Sequence, residues 1–212
     1  MPLSWGSLMF SPIVLFAAAA LAQAADAPTS RTEMLGINVP DEFEMGRQAR
    51  NDTLQIMELV EPPETVETWS KLITSMMFFN AAQRGMDVFY GQWRDGMRAA
   101  CEGITDTAVK GTVDGMPALR ATLACPKNAK AGKPENLEAI VVQGRANMMI
   151  VQVAFRRPIT ADDAALIERV AGSMKVCDQR TLPVCSARKA IGFLPEDGQS
   201  HDPTAERSAT GR

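Results

Sequence analysis

Pro62–Arg98 reads PPETVETWSKLITSMMFFNAAQRGMDVFYGQWRDGMR, and the reading of this stretch decides the fold. It holds Trp69 and Trp93, the only tyrosine (Tyr90), three of the eight phenylalanines and four methionines. Thr65 stands where an N-cap belongs, with Glu67 in the first turn, where the helix dipole favours an anion. Val66, Trp69, Leu72, Ile73, Met76 and Met77 then recur at helical spacing, which predicts a helix through about Ala82. Gly85 interrupts it. Asp87 predicts the start of a second helix, in which Phe89, Trp93, Met97 and Cys101 recur every four residues. The charges on its other face, Asp95, Arg98 and Glu102, are spaced to pair along the helix. The whole stretch thus predicts a helical layer with an apolar face.

The flanking segments read as strands. Ile37 and Val39 alternate before Pro40, and Phe43 and Met45 resume, predicting a short strand confined to an edge or a bend. Thr53–Val60, TLQIMELV, is apolar in both phases, as expected of a strand buried on both faces. Beyond Ile104 the pattern is strand again. ITDTAVKGTVDG and MPALRATLAC flank the turn signal Asp114-Gly115, and LEAIVVQG and NMMIVQVAFRR are joined through Gly144–Asn147. Thr160 with Asp163 three residues on predicts a capped last helix carrying Leu166, Ile167, Val170 and Met174. Strands in runs predict the α+β class, here an antiparallel sheet flanked by helices on both faces, an α/β/α sandwich.

The opening MPLSWGSLMFSPIVLFAAAALAQAADAPTS predicts an export signal over residues 1–24, cleaved after Ala24. Its apolar run is too short to span a bilayer, which takes ~20 residues. The expected location is therefore the periplasm or the exterior, with no stable membrane anchor. Residues 25–33 read as a flexible lead-in, 34–187 as one domain and 188–212 as a disordered tail. Cys101, Cys125, Cys177 and Cys185 make an even count in an exported chain and predict two disulfides, for which three pairings are possible. The sequence-local choice joins Cys101 to Cys125 and Cys177 to Cys185. A net charge of −3 argues against nucleic acid as a partner.

The order of these elements resembles the Mog1/PsbP-like family. LQIMELVEPPETVETWSKLIT in particular is similar to a phrase found in small exported bacterial proteins of that shape. The resemblance covers about residues 34–187. It implies an antiparallel sheet between helices and a binding or accessory role, as in photosystem assembly and small-GTPase regulation. It carries over no site residue.

His201 is the only histidine and lies in the tail, so His-dependent nucleophilic catalysis and multi-histidine metal sites are excluded from the domain. No phosphate-binding glycine loop or nucleophile elbow is present. The carboxylate pairs Glu61/Glu64 and Asp162/Asp163 both read as residues at helix starts. Met76, Met77, Met86, Met97, Met148 and Met149 offer thioethers suited to Cu(I), yet they coincide with the apolar stripes. No catalytic residue, cofactor or metal ligand is assigned. The expectation is a binding protein whose patch comprises Phe78, Tyr90 and Trp93 ringed by Arg84, Arg94 and Arg98, facing a partner protein or a small apolar ligand. The alternatives are a carboxylate-dependent hydrolase and a Met-based copper binder.

Overall fold

The computed structural model describes residues 32–178. The predicted signal, the tail, His201 and Cys185 lie outside the described residues. Nine strands and two helices follow in the order β1 (Glu33–Gly36), β2 (Glu44–Arg50), β3 (Leu54–Val60), β4 (Lys71–Phe78), α1 (Met86–Ala100), β5 (Thr105–Val113), β6 (Met116–Cys125), β7 (Glu135–Gln143), β8 (Met148–Phe155), α2 (Ala161–Gly172) and β9 (Lys175–Asp178). Seven of them form one antiparallel sheet in the order β2-β3-β4-β8-β7-β6-β5, while β1 pairs with β9. The class is α+β.

The first half of the deciding stretch is not a helix. Thr65 does turn the chain, its hydroxyl accepting from the Glu67 N–H at 3.3 Å and donating to the Glu67 carboxylate at 2.7 Å. The turn stops after one round, however. The Ser70 N–H is drawn to the Glu64 carboxylate at 2.7 Å, and the chain enters β4 at Lys71. β4 is flanked along its full length, Leu72–Phe78 by β3 and Lys71–Phe78 by β8. Its apolar residues fill both faces of a central strand, a pattern that helical spacing also fits over a short run. Two full ladders of backbone hydrogen bonds outweigh a single cap. Glu61 and Glu64 accordingly serve the turn before β4, Glu61 pairing with Lys71 at 2.9 Å.

The strand expected around Pro40 is also displaced. Ile37 and Phe43 are buried outside any strand, and pairing resumes at Glu44–Arg50, a polar edge segment with a bulge between Met45 and Arg47. Both predicted turns are present. Asp114 and Gly115 have φ of 52° and 76° and close the β5–β6 hairpin, and the Gly144 N–H donates to the Asn147 carbonyl between β7 and β8.

Alternation along the strands sends side chains to two separate cores. One contains Met57, Leu59, Ile73, Met77, Val151, Val153 and Phe155 with Leu166, Ile167 and Val170 of α2. The other contains Leu119, Ala121, Leu123, Val141 and Ile150 with Phe89 and Tyr90 of α1.

Two polar arrangements anchor these layers. Glu33, which opens β1 rather than closing a flexible lead-in, is buried. Its carboxylate accepts from the backbone N–H groups of Arg145, Ala146 and Asn147 at 2.6, 3.0 and 2.8 Å. The Asn147 side chain returns a hydrogen bond to the Glu33 carbonyl and accepts one from the Asn80 N–H. This ties β1, the β7–β8 turn and the end of β4 together.

The second is the capping box of α2. The Thr160 hydroxyl accepts from the Asp163 N–H, and the Asp163 carboxylate accepts from the Thr160 N–H at 2.9 Å and from both Arg157 guanidinium nitrogens. Asp163 is 2% exposed. Burial alone would raise its pKa, but the hydrogen bonds from Arg157 and Thr160 outweigh it and hold the group at about 2, below its ordinary 3.8. A depressed carboxylate stabilises the fold above its unfolded pKa, and the contribution is lost as pH falls through the folded value. Asp163 should therefore contribute on the order of 2 kcal/mol near neutrality, declining between about pH 4 and 2. Thermal melts of wild type and Asp163→Asn should show a gap at pH 6 that closes toward pH 2. A gap independent of pH would contradict this.

Candidate functional site

The two faces of β3 and β4 are covered unequally. On the α2 side Gln55, Met57, Leu59, Ile73, Ser75 and Met77 are all buried. On the α1 side Leu54, Ile56, Glu58, Met76 and Phe78 are only half-buried, whereas Val60, Leu72 and Thr74 are buried. The cause lies in where α1 lands. It packs mainly on β6 and β7 and reaches β4 through Phe89 against Phe78.

The half-buried residues cluster at the Leu54–Phe78 end of the two strands, which we take as the floor of a candidate groove. One wall is α1, whose Phe89 meets Phe78 edge to face, with ring centroids 5.0 Å apart at 74°. Trp93, one turn further along the same side of α1, is half-buried. One end is closed by the segment before β4. There Trp69 is buried and the Arg156 guanidinium stacks on its ring at 4.1 Å while donating to the Glu67 carbonyl at 3.0 Å.

A polar row crosses this otherwise apolar floor. Register places Glu58 opposite Thr74 and Thr74 opposite Gln152, one residue from each of β3, β4 and β8. Thr74 is 2% exposed and its hydroxyl oxygen has no hydrogen-bond partner among the described residues. Buried hydroxyls of this kind are uncommon in folded proteins. Glu58 pairs with Arg47 of β2 at 2.7 Å. Burial raises the Glu58 pKa above the usual carboxylate range; Arg47 opposes the shift and Glu67 adds to it. Of this row the half-buried Glu58 carboxylate lies beside Ile56 and Met76, while the Thr74 hydroxyl is enclosed beneath the surface.

Of the residues expected to form a patch, Tyr90 and Trp93 are in contact, with ring centroids 6.0 Å apart, and the Arg94 guanidinium lies 5.9 Å from the Tyr90 ring. Phe78 meets α1 through Phe89. Tyr90 is in the core, its hydroxyl donating to Asp106 at 3.5 Å, because it lies on the side of α1 turned toward β5. Arg98 donates to the same Asp106 at 2.7 Å and Arg94 lies 3.9 Å from it, so both arginines serve the α1–β5 seam. Arg98 thus reaches β5 rather than Asp95 or Glu102 on its own helix. Arg84 is exposed on the short 3-10 turn Ala82–Arg84.

Cys101 and Cys125 are joined, with Cα atoms 5.8 Å apart, linking the end of α1 to the end of β6. The expected Cys177–Cys185 bond involves a residue outside the described range. The methionine pairs are split by strand alternation. Met77 and Met149 stand opposite each other on the α2 side, while Met76 and Met148 point to the α1 side.

Glu58, Thr74 and Gln152 are the residues that sequence reading missed. The signal for Glu58 was present, since it shares a phase with Leu54, Ile56 and Val60 in a strand otherwise apolar there. Thr74 was concealed by the helical reading of its segment.

No family model matches the chain, and no curated protein matches it. Among solved structures the chain is similar to a protein from Bacteroides thetaiotaomicron (9% identity, TM-score 0.44), covering 73% of this chain and 48% of that one. This chain thus spans about half the length of that protein. It is also similar to a mutant form of Mog1 (10%, TM-score 0.45, covering 69% and 93%). A third is LpqN, described as involved in cell envelope biogenesis of Mycobacterium tuberculosis (10%, TM-score 0.40, covering 68% and 83%). Mog1, one of the two proteins for which the resembled family is named, is thus among the solved structures similar to this chain. No helix among the described residues is long and apolar enough to cross a membrane.

Proposed function

We propose that the protein is an exported binding module rather than an enzyme. In this reading it is an α/β/α sandwich in which the half-buried end of β3 and β4, beside α1, forms a groove. The groove takes a small, mainly apolar ligand carrying a hydrogen-bonding group. The observation that supports this most is the cluster of half-buried side chains Leu54, Ile56, Met76 and Phe78 on the α1 side, where the α2 side of the same strands is buried. The half-buried Glu58 carboxylate supplies the polar end of the site. Of the arginines expected to ring the patch, Arg94 and Arg98 are paired with Asp106.

Native mass spectrometry of the protein purified from its own host tests the reading, together with titration by anilinonaphthalene sulfonate as an apolar probe. Wild type should carry extra mass or bind the probe. Ile56→Arg, which puts a charge on a half-exposed strand position, should weaken binding at least about tenfold with little change in melting temperature. Phe78→Ala should weaken it less. A wild type that carries no ligand and binds no probe would end the proposal, as would unchanged binding in Ile56→Arg.

A further inference from the structure

We propose that β5 is the interface of a twofold dimer in which two copies of the chain join edge to edge into one continuous sheet. β5 is one of the two edges of the seven-stranded sheet, and nearly all its residues are exposed. The two edges differ in kind. β2 carries a bulge and the charges Glu44, Arg47 and Arg50, devices that discourage strand addition. β5 pairs with β6 in unbroken register from Thr105 to Val113, contains no proline, and leaves Val109 70% exposed. A long, flat, weakly charged edge of this kind is a template for another strand.

The hairpin turn settles which backbone groups face outward. Asp114 and Gly115 both have positive φ, the two-residue turn that makes Val113 and Met116 a hydrogen-bonded pair. Hydrogen-bonding direction alternates along a strand. The odd-numbered residues of β5 therefore bond to β6, and Asp106, Ala108, Lys110 and Thr112 present their N–H and C=O groups to the outer edge.

Charge then selects the register. A twofold axis through Asp106 or Lys110 sets like charges against each other, and one through Gly111 or Thr112 leaves little beyond the hairpin turn to pair. An axis through Thr107 sets Asp106 opposite Ala108, and one through Val109 sets Asp106 opposite Thr112 and Lys110 opposite Ala108, so neither pairs opposite charges. An axis through Ala108 pairs Ala108 with itself and puts Asp106 opposite Lys110 of the second copy, twice. Asp106 already meets Arg98, and Lys110 already meets Asp87 at 2.8 Å. The second copy extends these into one alternating row of charge across the seam. On the opposite face Val109 comes to lie against the second copy's Thr107, covering an apolar side chain that is otherwise in water.

Sedimentation velocity of the full chain over a wide range of concentration is the test, with two proline variants. Ala108→Pro removes an outward N–H and no bond to β6, so it should keep the fold and weaken dimerisation at least about tenfold. Val109→Pro removes a bond to β6 and should lower the melting temperature, which verifies the assigned bonding direction. Mixing Thr107→Cys with Val109→Cys chains should give a disulfide-linked heterodimer, because facing residues of a non-hydrogen-bonded pair lie within disulfide reach. A wild type that stays monomeric at every concentration overturns the proposal, whether its own C-terminal segment or another protein takes the edge. Dimerisation that survives Ala108→Pro overturns it as well.

Discussion

Replacing Glu33 by alanine should cost about 3–5 kcal/mol of unfolding free energy, the largest effect expected of any single substitution described here. The carboxylate is buried and satisfies three consecutive backbone N–H groups of the β7–β8 turn. Alanine leaves those donors facing a cavity, and a buried donor without a partner costs far more than a net hydrogen bond is worth. The Asn147 side chain, which bonds to the Glu33 backbone carbonyl and the Asn80 N–H, keeps both partners, so the loss falls on the three turn donors. Glu33→Gln keeps the shape and part of the bonding and should cost about 1–2 kcal/mol, since the charge-assisted acceptor is lost. Gly144 carries the complementary test. A Cβ there would overlap the Glu33 carboxylate, so Gly144→Ala should displace it and destabilise the fold although nothing polar is removed. Urea unfolding of the three variants checks the account. A loss below about 1 kcal/mol in Glu33→Ala would show that water replaces the carboxylate without penalty.

Removing the Cys101–Cys125 bond with a double alanine substitution should cost about 3 kcal/mol, near the ~3.5 kcal/mol that chain entropy assigns to a loop of this length. The bond closes a loop containing the whole β5–β6 hairpin. β5 buries little on either face, so its attachment relies on β6, on the Arg98–Asp106 and Lys110–Asp87 pairs, and on this staple. The expected consequence is local as well as global. Amide exchange across Thr105–Val113 should accelerate more than across β3 or β4, and dimerisation through β5 should weaken in parallel. Equal loss of protection throughout the sheet would mean that the staple acts only on the unfolded chain.

The contrast between local and distant determinants explains what was legible beforehand. Thr160 and Asp163 are three residues apart, Asp114 and Gly115 adjacent, Gly144 and Asn147 three apart. Each pair closes its own structure with short-range hydrogen bonds, and each was readable from residue type and spacing. The α2 stripe was readable for the same reason, because its period alone determines which side is apolar. Lys71–Phe78 was not. Its apolar residues fit helical spacing as well as a strand buried twice, and the choice rests on β3 and β8, the latter joined through residues some seventy positions away. Tyr90 was misplaced for a related reason, since its exposure depends on which side of α1 faces Asp106.

By itself the sequence determined the α+β class, the hairpins, the cap of α2 and the absence of a histidine from residues 32–178, all consequences of residue type and short spacing, and it left three disulfide pairings open. Only the tertiary structure decided the half-buried end of β3 and β4, the row from Glu58 through Thr74 to Gln152, the pairing of Cys101 with Cys125 and the outward bonding of β5. Those features depend on where α1 comes to rest and on which strands become neighbours, and that outcome is set by competition among long-range contacts that no short window of sequence contains.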